Sequence, residues 1–267
     1  MNTNQSTEYE RKTAPPILRL QHLTVAARYS NRSEIIIHNV CTDVAPGEIV
    51  AWVGESGAGK TILSLSVLDL LPENISISSG AIFFMEQRLS ISQLMTLRGR
   101  HVAMIFQNPM DALNPVFRVG HQIRDVVRHH LHLAKQVADA QILKLFEEVG
   151  LNDPLRVFRM YPHQLSGGMA QRVMIAMALA CEPDIIIADE PTTALDATTQ
   201  YHIIRLLRRL HRQQGFAMIL ISHDIHLVSQ LATRTVILQH GRIIESNTTA
   251  NMFAAPEHEY TKALITA

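Results

Sequence analysis

The stretch GESGAGKT at residues 54–61 lies between the apolar run EIVAWV and the helical pattern ILSLSVLDLL. It has the spacing G-x-x-x-x-G-K-[ST] in the strand, loop and helix context of a phosphate-binding loop (P-loop). Such a loop turns backbone N–H groups inward around phosphates at the positive end of a helix dipole. The residues predicted to bind a nucleotide are Gly54, Glu55, Ser56, Gly57, Ala58, Gly59, Lys60 and Thr61. Lys60 would reach the outer phosphates, and the Thr61 hydroxyl would help to hold Mg²⁺.

A second stretch, DIIIADEP, is an apolar run that ends in two carboxylates, Asp189 and Glu190. Asp189 would lie at the carboxyl edge of a sheet, where phosphates bind in such folds, and could hold a metal ion through water. Glu190 would then be placed to polarise an attacking water as a general base. A solvated acidic turn is the alternative, and the phosphate-binding loop upstream makes it the weaker one.

A third stretch, LSGGMAQR, puts Ser166, Gly167 and Gly168 in front of the apolar run VMIAMALA. A serine N-cap followed by two glycines exposes free N–H groups at the positive end of a helix. The stretch therefore predicts either a second anion-binding terminus or an ordinary capped helix whose glycines allow close packing.

The pattern of apolar runs indicates the elements that would position these residues. Short β-branched runs, several of them apolar throughout, alternate with helical stretches. The runs predicted to be strands are ILRLQHLTV, EIVAWV, VAMIF, DIIIAD, FAMILIS and TVILQ. This alternation favours an α/β fold with a largely parallel sheet that is buried on both faces.

Length and composition limit the organisation of the chain. Its 267 residues are 47% hydrophobic and 18% charged, which suits a globular protein with one large domain. We expect a flexible leader at 1–16, a single domain at 17–267, a helical subdomain at about 89–180 within it, and a short C-terminal segment at about 247–267. The formal net charge of +0 indicates no nucleic-acid partner. The apolar runs are too short to span a bilayer, so any membrane part would come from other chains.

The motifs GESGAGKT, LSGGMAQR, IIIADEP, ALDA and ISHD occur in the order and spacing of the ATP-binding cassette (ABC) family. The chain resembles this family over nearly its whole length. The resemblance implies a P-loop NTPase fold with an ABC-type nucleotide-binding domain, an antiparallel β subdomain and an inserted helical subdomain. It also implies ATP and Mg²⁺ as cofactors, and a head-to-tail pair in which the LSGGM signature of one subunit closes over the nucleotide held by the other.

Three further residues match motifs of the family and take their expected roles from the resemblance. Gln107 in FQNPMDALNP is similar to the glutamine that senses Mg²⁺ and the attacking water. His223 in ISHD resembles the histidine that contacts the γ-phosphate, and Asp196 in ALDA resembles the residue that communicates across the subunit pair. Glu190, His223 and Gln107 would thus be catalytic. The aromatic residue that often stacks on adenine has no counterpart in LTVAARYSNRSE other than Tyr29.

The stretches FQNPMDALNP, YPHQLSGGMAQR and PEHEYTKALITA resemble the branch that contains peptide and nickel importers. This implies a second ATPase subunit, identical or paralogous, two membrane permease subunits and a substrate-binding protein as partners. It also implies a peripheral location at the cytoplasmic face of the cell membrane. The chain ends soon after PEHEYT, and the segments TTALDATTQY and AMILISHD resemble the nickel or metallophore subgroup. These features favour nickel or a nickel chelate as the substrate. A di- or oligopeptide importer is the alternative.

Two alternatives come from other functional classes. A soluble cassette ATPase acting on DNA or ribosomes would carry coiled coils or a second cassette, and neither heptads nor a second P-loop occurs. A P-loop kinase would not need an LSGGM signature.

The histidines of RHHLHL could suggest a metal site, but only His129 and His132 are near neighbours on a helix, so we expect a solvated helix face.

Overall fold

The computed structural model describes residues 15–29, 32–193 and 195–266, so the predicted leader lies almost wholly outside the described residues. The strands are β1 (Leu18–Tyr29), β2 (Arg32–Val44), β3 (Ile49–Val53), β4 (Ile75–Phe84), β5 (Gln87–Arg88), β6 (Val102–Ile105), β7 (Ile185–Asp189), β8 (Ala217–Ser222), β9 (Arg234–Gln239) and β10 (Arg242–Thr248). The helices are α1 (Lys60–Val67), α2 (Ile91–Leu97), α3 (Pro109–Ala112), α4 (Val119–Leu131), α5 (Lys135–Glu148), α6 (Pro154–Arg159), α7 (Gly167–Leu179), α8 (Ala197–Gln214), α9 (Ile225–Leu231), α10 (Thr249–Ala254) and α11 (Glu259–Thr266).

Two sheets organise the fold. The larger has six strands in the order β10-β9-β3-β8-β7-β6, and all its neighbouring pairs are parallel except β9 with β10. The smaller is antiparallel, in the order β2-β1-β4-β5. The predicted α/β fold with a largely parallel sheet and an antiparallel β subdomain is confirmed. The predicted strand ILRLQHLTV forms β1 of the smaller sheet, because it pairs with β2 and β4, two strands that the apolar runs did not indicate.

The central sheet is buried on both faces, as its continuous apolar strands require. On β3, Ala51 and Val53 point into a core that contains helices α4 to α9, whereas Val50 and Trp52 point into a second core under α1, α2 and the antiparallel sheet. This arrangement leaves the carboxyl ends of the parallel strands free to carry the site.

The range predicted for the helical subdomain, about 89–180, contains one strand of the central sheet. The run VAMI forms β6, which pairs with β7 inside the central sheet, and α2 packs Leu94 and Leu97 against the second core. After β6, the helices α3 to α7 lie between Pro109 and Leu179. A single turn of 3₁₀ helix, Pro162–Gln164, precedes α7.

One carboxylate on β10 holds the chain just before α11. Both oxygens of Glu245 accept hydrogen bonds, from the backbone N–H groups of Glu257 and His258, each at 3.0 Å. This contact fixes the entry into α11. Among the described residues, no helix is both long enough and apolar enough to cross a membrane.

Candidate active site

The phosphate-binding loop connects β3 to α1, and two of its glycines are required by close contacts. A Cβ atom at Gly54 would lie 2.2 Å from the carbonyl oxygen of Leu238. Gly59 has φ +99°, and a Cβ atom there would lie 2.6 Å from Cδ1 of Ile37. Any larger residue would push the loop away from β9 or β2, so the glycines set the shape of the loop.

Lys60 opens α1 and turns its side chain back over the loop. Its Nζ donates to the carbonyl oxygens of Gly54 at 2.7 Å and Glu55 at 2.8 Å. Burial lowers the pKa of this ammonium below its usual value, and the nearby carboxylates of Glu190 and Asp189 oppose that effect. The loop thus holds a buried cation beside two acidic groups.

Asp189 ends β7 and is 5% exposed. Burial raises the pKa of its carboxyl, a hydrogen bond with Thr61 lowers it, the charge of Glu190 raises it, and the charge of Lys60 lowers it, with a net rise. Hydroxyl and carboxylate oxygens are the ligands that Mg²⁺ prefers, and it usually binds through one or two carboxylates together with phosphates and water. Thr61 and Asp189 therefore fit a magnesium ion that accompanies a nucleotide, and the side-chain amide of Gln107 lines the same cavity.

Glu190 is held by three side chains from different loops. The hydroxyl of Thr193 donates to its Oε2 at 2.7 Å, and the amide Nε2 of Gln107 lies 3.5 Å from the same oxygen. Nδ1 of His223 lies 2.9 Å from Oε1. Burial raises the pKa of Glu190, but the hydrogen bonds from Thr193 and His223, and the charges of His223 and Lys60, outweigh it and lower this pKa. The carboxylate is therefore ionised and oriented at neutral pH.

The backbone of Glu190 adopts an uncommon conformation. Its φ is +46°, in the left-handed region that non-glycine residues seldom occupy. The N–H of Glu190 donates to the carbonyl oxygen of Ile221 at 2.9 Å, and its own carbonyl oxygen accepts from the N–H of Thr193 at 3.1 Å. These bonds hold the turn that directs the side chain toward Gln107 and His223.

One cavity of about 230 Å³ brings the predicted phosphate and acidic residues together. It is lined by Ile36, Ser56, Gly57, Gly59, Lys60, Thr61, Ile62, Gln107, Asp189 and Glu190. His223 does not line the cavity, but it hydrogen-bonds to Glu190, which does. Gly54, Glu55 and Ala58 belong to the phosphate-binding loop without lining the cavity.

The signature residues lie elsewhere. Ser166 caps α7 by accepting a hydrogen bond from the N–H of Met169 at 3.3 Å. Ser166 and Gly168 line a separate cavity of about 630 Å³ that contains no residue of the phosphate-binding loop. Gly168 closely approaches Thr199 of α8, because a Cβ atom on the glycine would lie 3.0 Å from Cγ2 of the threonine. The glycines thus allow close packing within the chain while leaving Ser166 and Gly167 exposed.

Asp196 is also outside the phosphate cavity. It is exposed and caps α8, where Oδ1 accepts from the N–H of Thr199 at 3.0 Å and Oδ2 accepts from its hydroxyl at 2.7 Å. Hydrogen bonds from Thr199 lower the pKa of this carboxyl. The same threonine therefore contacts both the aspartate and the signature glycine Gly168.

The sequence motifs did not predict three of the contacts at the site. Thr193 bonds Glu190, and Ile36 rather than Tyr29 lines the phosphate cavity. Tyr29 is about half exposed, and the guanidinium of Arg32 lies 5.3 Å from the centre of its ring. Tyr260 of α11 accepts a hydrogen bond from the backbone N–H of Glu55 at 2.9 Å, which joins the C-terminal segment to the phosphate-binding loop.

An apolar groove of about 430 Å³ lies next to Gln107. Met104 and Phe106 line one wall just before the glutamine, and Met95 and Met177 also line it. His129 and His130 contribute to the groove as well. In the part of the chain that the structure describes, no group of three His, Cys, Asp or Glu side chains could hold a metal ion.

A family model described as "ABC transporter" matches residues 37–193. The chain belongs to the ABC transporter family. It is 41% identical over 253 residues to the dipeptide transport ATP-binding protein DppD of Bacillus subtilis (strain 168), and this alignment covers 93% of the chain and 76% of the relative. It is 43% identical over 254 residues to the probable D,D-dipeptide transport ATP-binding protein DdpD of Escherichia coli (strain K12), covering 94% and 77%.

A solved structure agrees with this membership. The ATP-binding cassette MJ0796, in a dimeric post-hydrolysis state bound to ADP and Pi, matches with a TM-score of 0.74 and 26% identity, covering 87% of this chain and 98% of that one. The chain is an ATP-hydrolysing subunit of an ABC transporter, and as an ABC ATPase it binds ATP. The two relatives are named for dipeptides, so the expected assignment to nickel finds no support in them.

Proposed function

We propose that this ABC ATPase energises the import of di- or oligopeptides. Support comes from relatives that are named for dipeptide transport and align with more than nine-tenths of this chain. A relative from Lactococcus lactis, named as an oligopeptide transport ATP-binding protein, covers 93% of the chain at 38% identity. Nickel or a nickel chelate is the competing substrate, and the experiment below distinguishes the two.

The observation that carries the proposed mechanism is the fixed carboxylate of Glu190 at the edge of the phosphate cavity. Its lowered pKa keeps it able to accept a proton from a water molecule, and Thr193 and His223 orient it. Lys60 would bind the outer phosphates. Thr61, Asp189 and Gln107 would hold Mg²⁺, which when bound neutralises charge on the phosphate oxygens.

The separation of the two anion-binding helix ends supports a head-to-tail pair. The signature residues Ser166 and Gly168 line a cavity that shares no residue with the phosphate cavity of the same chain. A second ATPase subunit, identical or paralogous, would bring its own signature over this chain's nucleotide. Asp196, at the exposed start of α8, would communicate across that pair.

The apolar groove beside Gln107 supports a permease partner. Phe106 and Met95 line this groove and are 38% and 53% exposed, so a partner segment could bury apolar surface directly next to a catalytic side chain. We propose that one of two permease subunits docks there at the cytoplasmic face of the membrane and that a substrate-binding protein delivers the peptide to the two permeases. ATP binding would then shift the permeases between two conformations.

Uptake measurements test this proposal. Cells that lack their own copy of the gene would receive the native chain, Glu190→Gln, or Glu73→Gln as a charge-matched control at an exposed residue away from the site. Uptake of a labelled dipeptide and of labelled nickel would be followed side by side. We expect Glu190→Gln to abolish dipeptide uptake and leave nickel uptake unchanged, whereas Glu73→Gln should behave as the native chain.

Selective loss of nickel uptake in the Glu190→Gln cells would overturn the peptide assignment and restore the metal one. Unchanged ATP turnover of the purified Glu190→Gln protein would instead remove Glu190 from the role of general base. The substrate and the mechanism are thus tested by separate readouts.

A further inference from the structure

A second cationic feature lies away from the phosphate-binding loop, between α8 and the turn that joins α5 to α6. A cavity of about 610 Å³ opens there. Its basic lining residues are Arg172, His202, Arg205, Arg208, Arg209 and Arg212. No residue assigned above to nucleotide binding or hydrolysis lines this cavity, which we call the arginine cavity.

Two helices supply the charges. On α8, Arg205, Arg209 and Arg212 follow one another at spacings of four and three residues, which places them on one face of the helix. These three side chains are exposed, whereas Leu210 is buried in the core. Arg172 of α7 reaches the cavity from the neighbouring helix and is partly buried. The guanidinium groups therefore surround a concave space rather than scatter over a convex surface.

Among the described residues, the hydrogen-bond acceptors of the cavity arginines are neutral backbone oxygens. Arg172 donates to the carbonyl oxygen of Val149, and Arg209 donates to that of Glu148. Within residues 15–29, 32–193 and 195–266, no ion pair joins any of the five arginines to a carboxylate. Burial and the charge of Arg209 lower the pKa of Arg172. A bound anion would relieve this repulsion between like charges.

We propose that the arginine cavity binds a small dissolved anion that carries several phosphate groups. The planar fork of a guanidinium matches two oxygens of a phosphate at once, which makes arginine the preferred residue for this recognition. Several forks that converge from two helices on one concavity can hold neighbouring phosphates together, and a concave wall suits a small ligand.

The orientation of α7 favours a dissolved anion over a lipid headgroup. At 3.6 residues per turn, Met174 is roughly 200° around the helix from Arg172, and it lines the apolar groove beside Gln107. The arginine cavity and the groove are thus on opposite sides of α7. This step rests on the proposed function, since the groove marks the membrane side only if it receives a permease.

The position of the cavity connects it to the signature. Gly150, Arg172 and His202 line both the arginine cavity and the cavity of Ser166 and Gly168. Helices α7 and α8 begin at the signature and at Asp196 respectively. An anion that bridges these two helices would therefore connect the second half of α8 to the helix that begins at the signature.

Calorimetric titration of the full chain with sodium tripolyphosphate tests this proposal. The Lys60→Ala background weakens competing binding at the phosphate-binding loop, so the remaining binding reports the arginine cavity. In that background, Arg205→Gln/Arg212→Gln should weaken tripolyphosphate binding at least about tenfold, because each hydrogen bond to a charged group is worth a tenfold change or more. Both side chains are exposed, so these substitutions leave the core packing intact.

The matched control is Arg28→Gln/Arg88→Gln, which removes the same charge from exposed positions on β1 and β5. This control should retain the tripolyphosphate affinity of the Lys60→Ala background. Equal affinity in the cavity variant and the control would overturn the proposal. If the arginines of the cavity are instead needed for binding to phosphatidylglycerol vesicles or to polyglutamate, and tripolyphosphate does not bind, the proposal is also overturned, in favour of a lipid or an acidic protein segment.

Discussion

Replacing Thr193 by valine tests whether the orientation and ionisation of Glu190 depend on the contacts described here. Valine has nearly the shape of threonine, so the change removes one hydroxyl and its hydrogen bond to Oε2 of Glu190 at 2.7 Å. That bond is the largest of the contributions that lower the pKa of Glu190 against the opposing effect of burial. Its loss should therefore raise the pKa of this carboxyl.

The size of the effect follows from the strength of the bond. A hydrogen bond to a charged acceptor is worth about 1.5–3 kcal/mol, and the lower end applies because Thr193 is only partly buried. About 1.4 kcal/mol corresponds to one pH unit, so the acid limb of ATP turnover should move up by about one unit. Turnover at pH 8 should change little, because Glu190 is still ionised there and His223 still holds Oε1.

The assay is phosphate release at saturating ATP, measured from about pH 5 to pH 9, since the pH dependence of kcat reports groups in the enzyme–substrate complex. His223, Lys60 and Asp189 also interact with Glu190, so the native profile has several contributions. The difference between Thr193→Val and native protein isolates the hydroxyl. Thr193→Ser keeps a hydroxyl and should reproduce the native profile.

Superimposable profiles for Thr193→Val and the native protein would refute this reasoning, because the hydroxyl would then not stabilise the ionised base. A uniform fall in kcat at every pH, with the limb in place, would refute it too. That outcome would mean that Thr193 positions Glu190 without affecting its ionisation.

Three further predictions concern single residues. Lys60→Ala should lose ATP binding, measured by equilibrium dialysis, because the loop loses its buried cation; retained binding would exclude Lys60 as a phosphate ligand. Tyr260→Phe should raise the KM for ATP about two- to fivefold at unchanged kcat, since one exposed hydrogen bond to the phosphate-binding loop is lost; an unaltered KM would show that α11 does not support the loop. Gly168→Ala should slow ATP turnover of the assembled pair more than Gly167→Ala, because the added methyl meets Thr199 at 3.0 Å in the first case, whereas in the second it makes an ordinary contact at 3.6 Å; equal rates would mean that α7 adjusts freely.

The fold followed from the sequence where local signals were strong. The continuous apolar runs EIVAWV and DIIIAD predicted buried parallel strands, because both faces of such a strand are covered by the core. The sequence signal for the antiparallel sheet was weaker than that for the parallel one. Strands β2 and β4 alternate or mix polar and apolar residues, and their pairing with β1 depends on residues far along the chain. The run VAMIF was predicted as a strand, but its place in the central sheet, between helices α2 and α3 along the chain, depends on pairing with β7.

The sequence by itself determined the chemistry that this protein can perform. The P-loop spacing and the acidic end of DIIIADEP need only local backbone geometry, and motif order placed the chain in its family. Only the tertiary structure decided which groups act together. It brought Gln107 and His223 onto the carboxylate of Glu190, and Tyr260 onto the loop, across long stretches of chain. Thr193, by contrast, bonds Glu190 from three residues away in the same turn. Contacts between residues distant in sequence are set by packing of the whole core, and no local pattern records them.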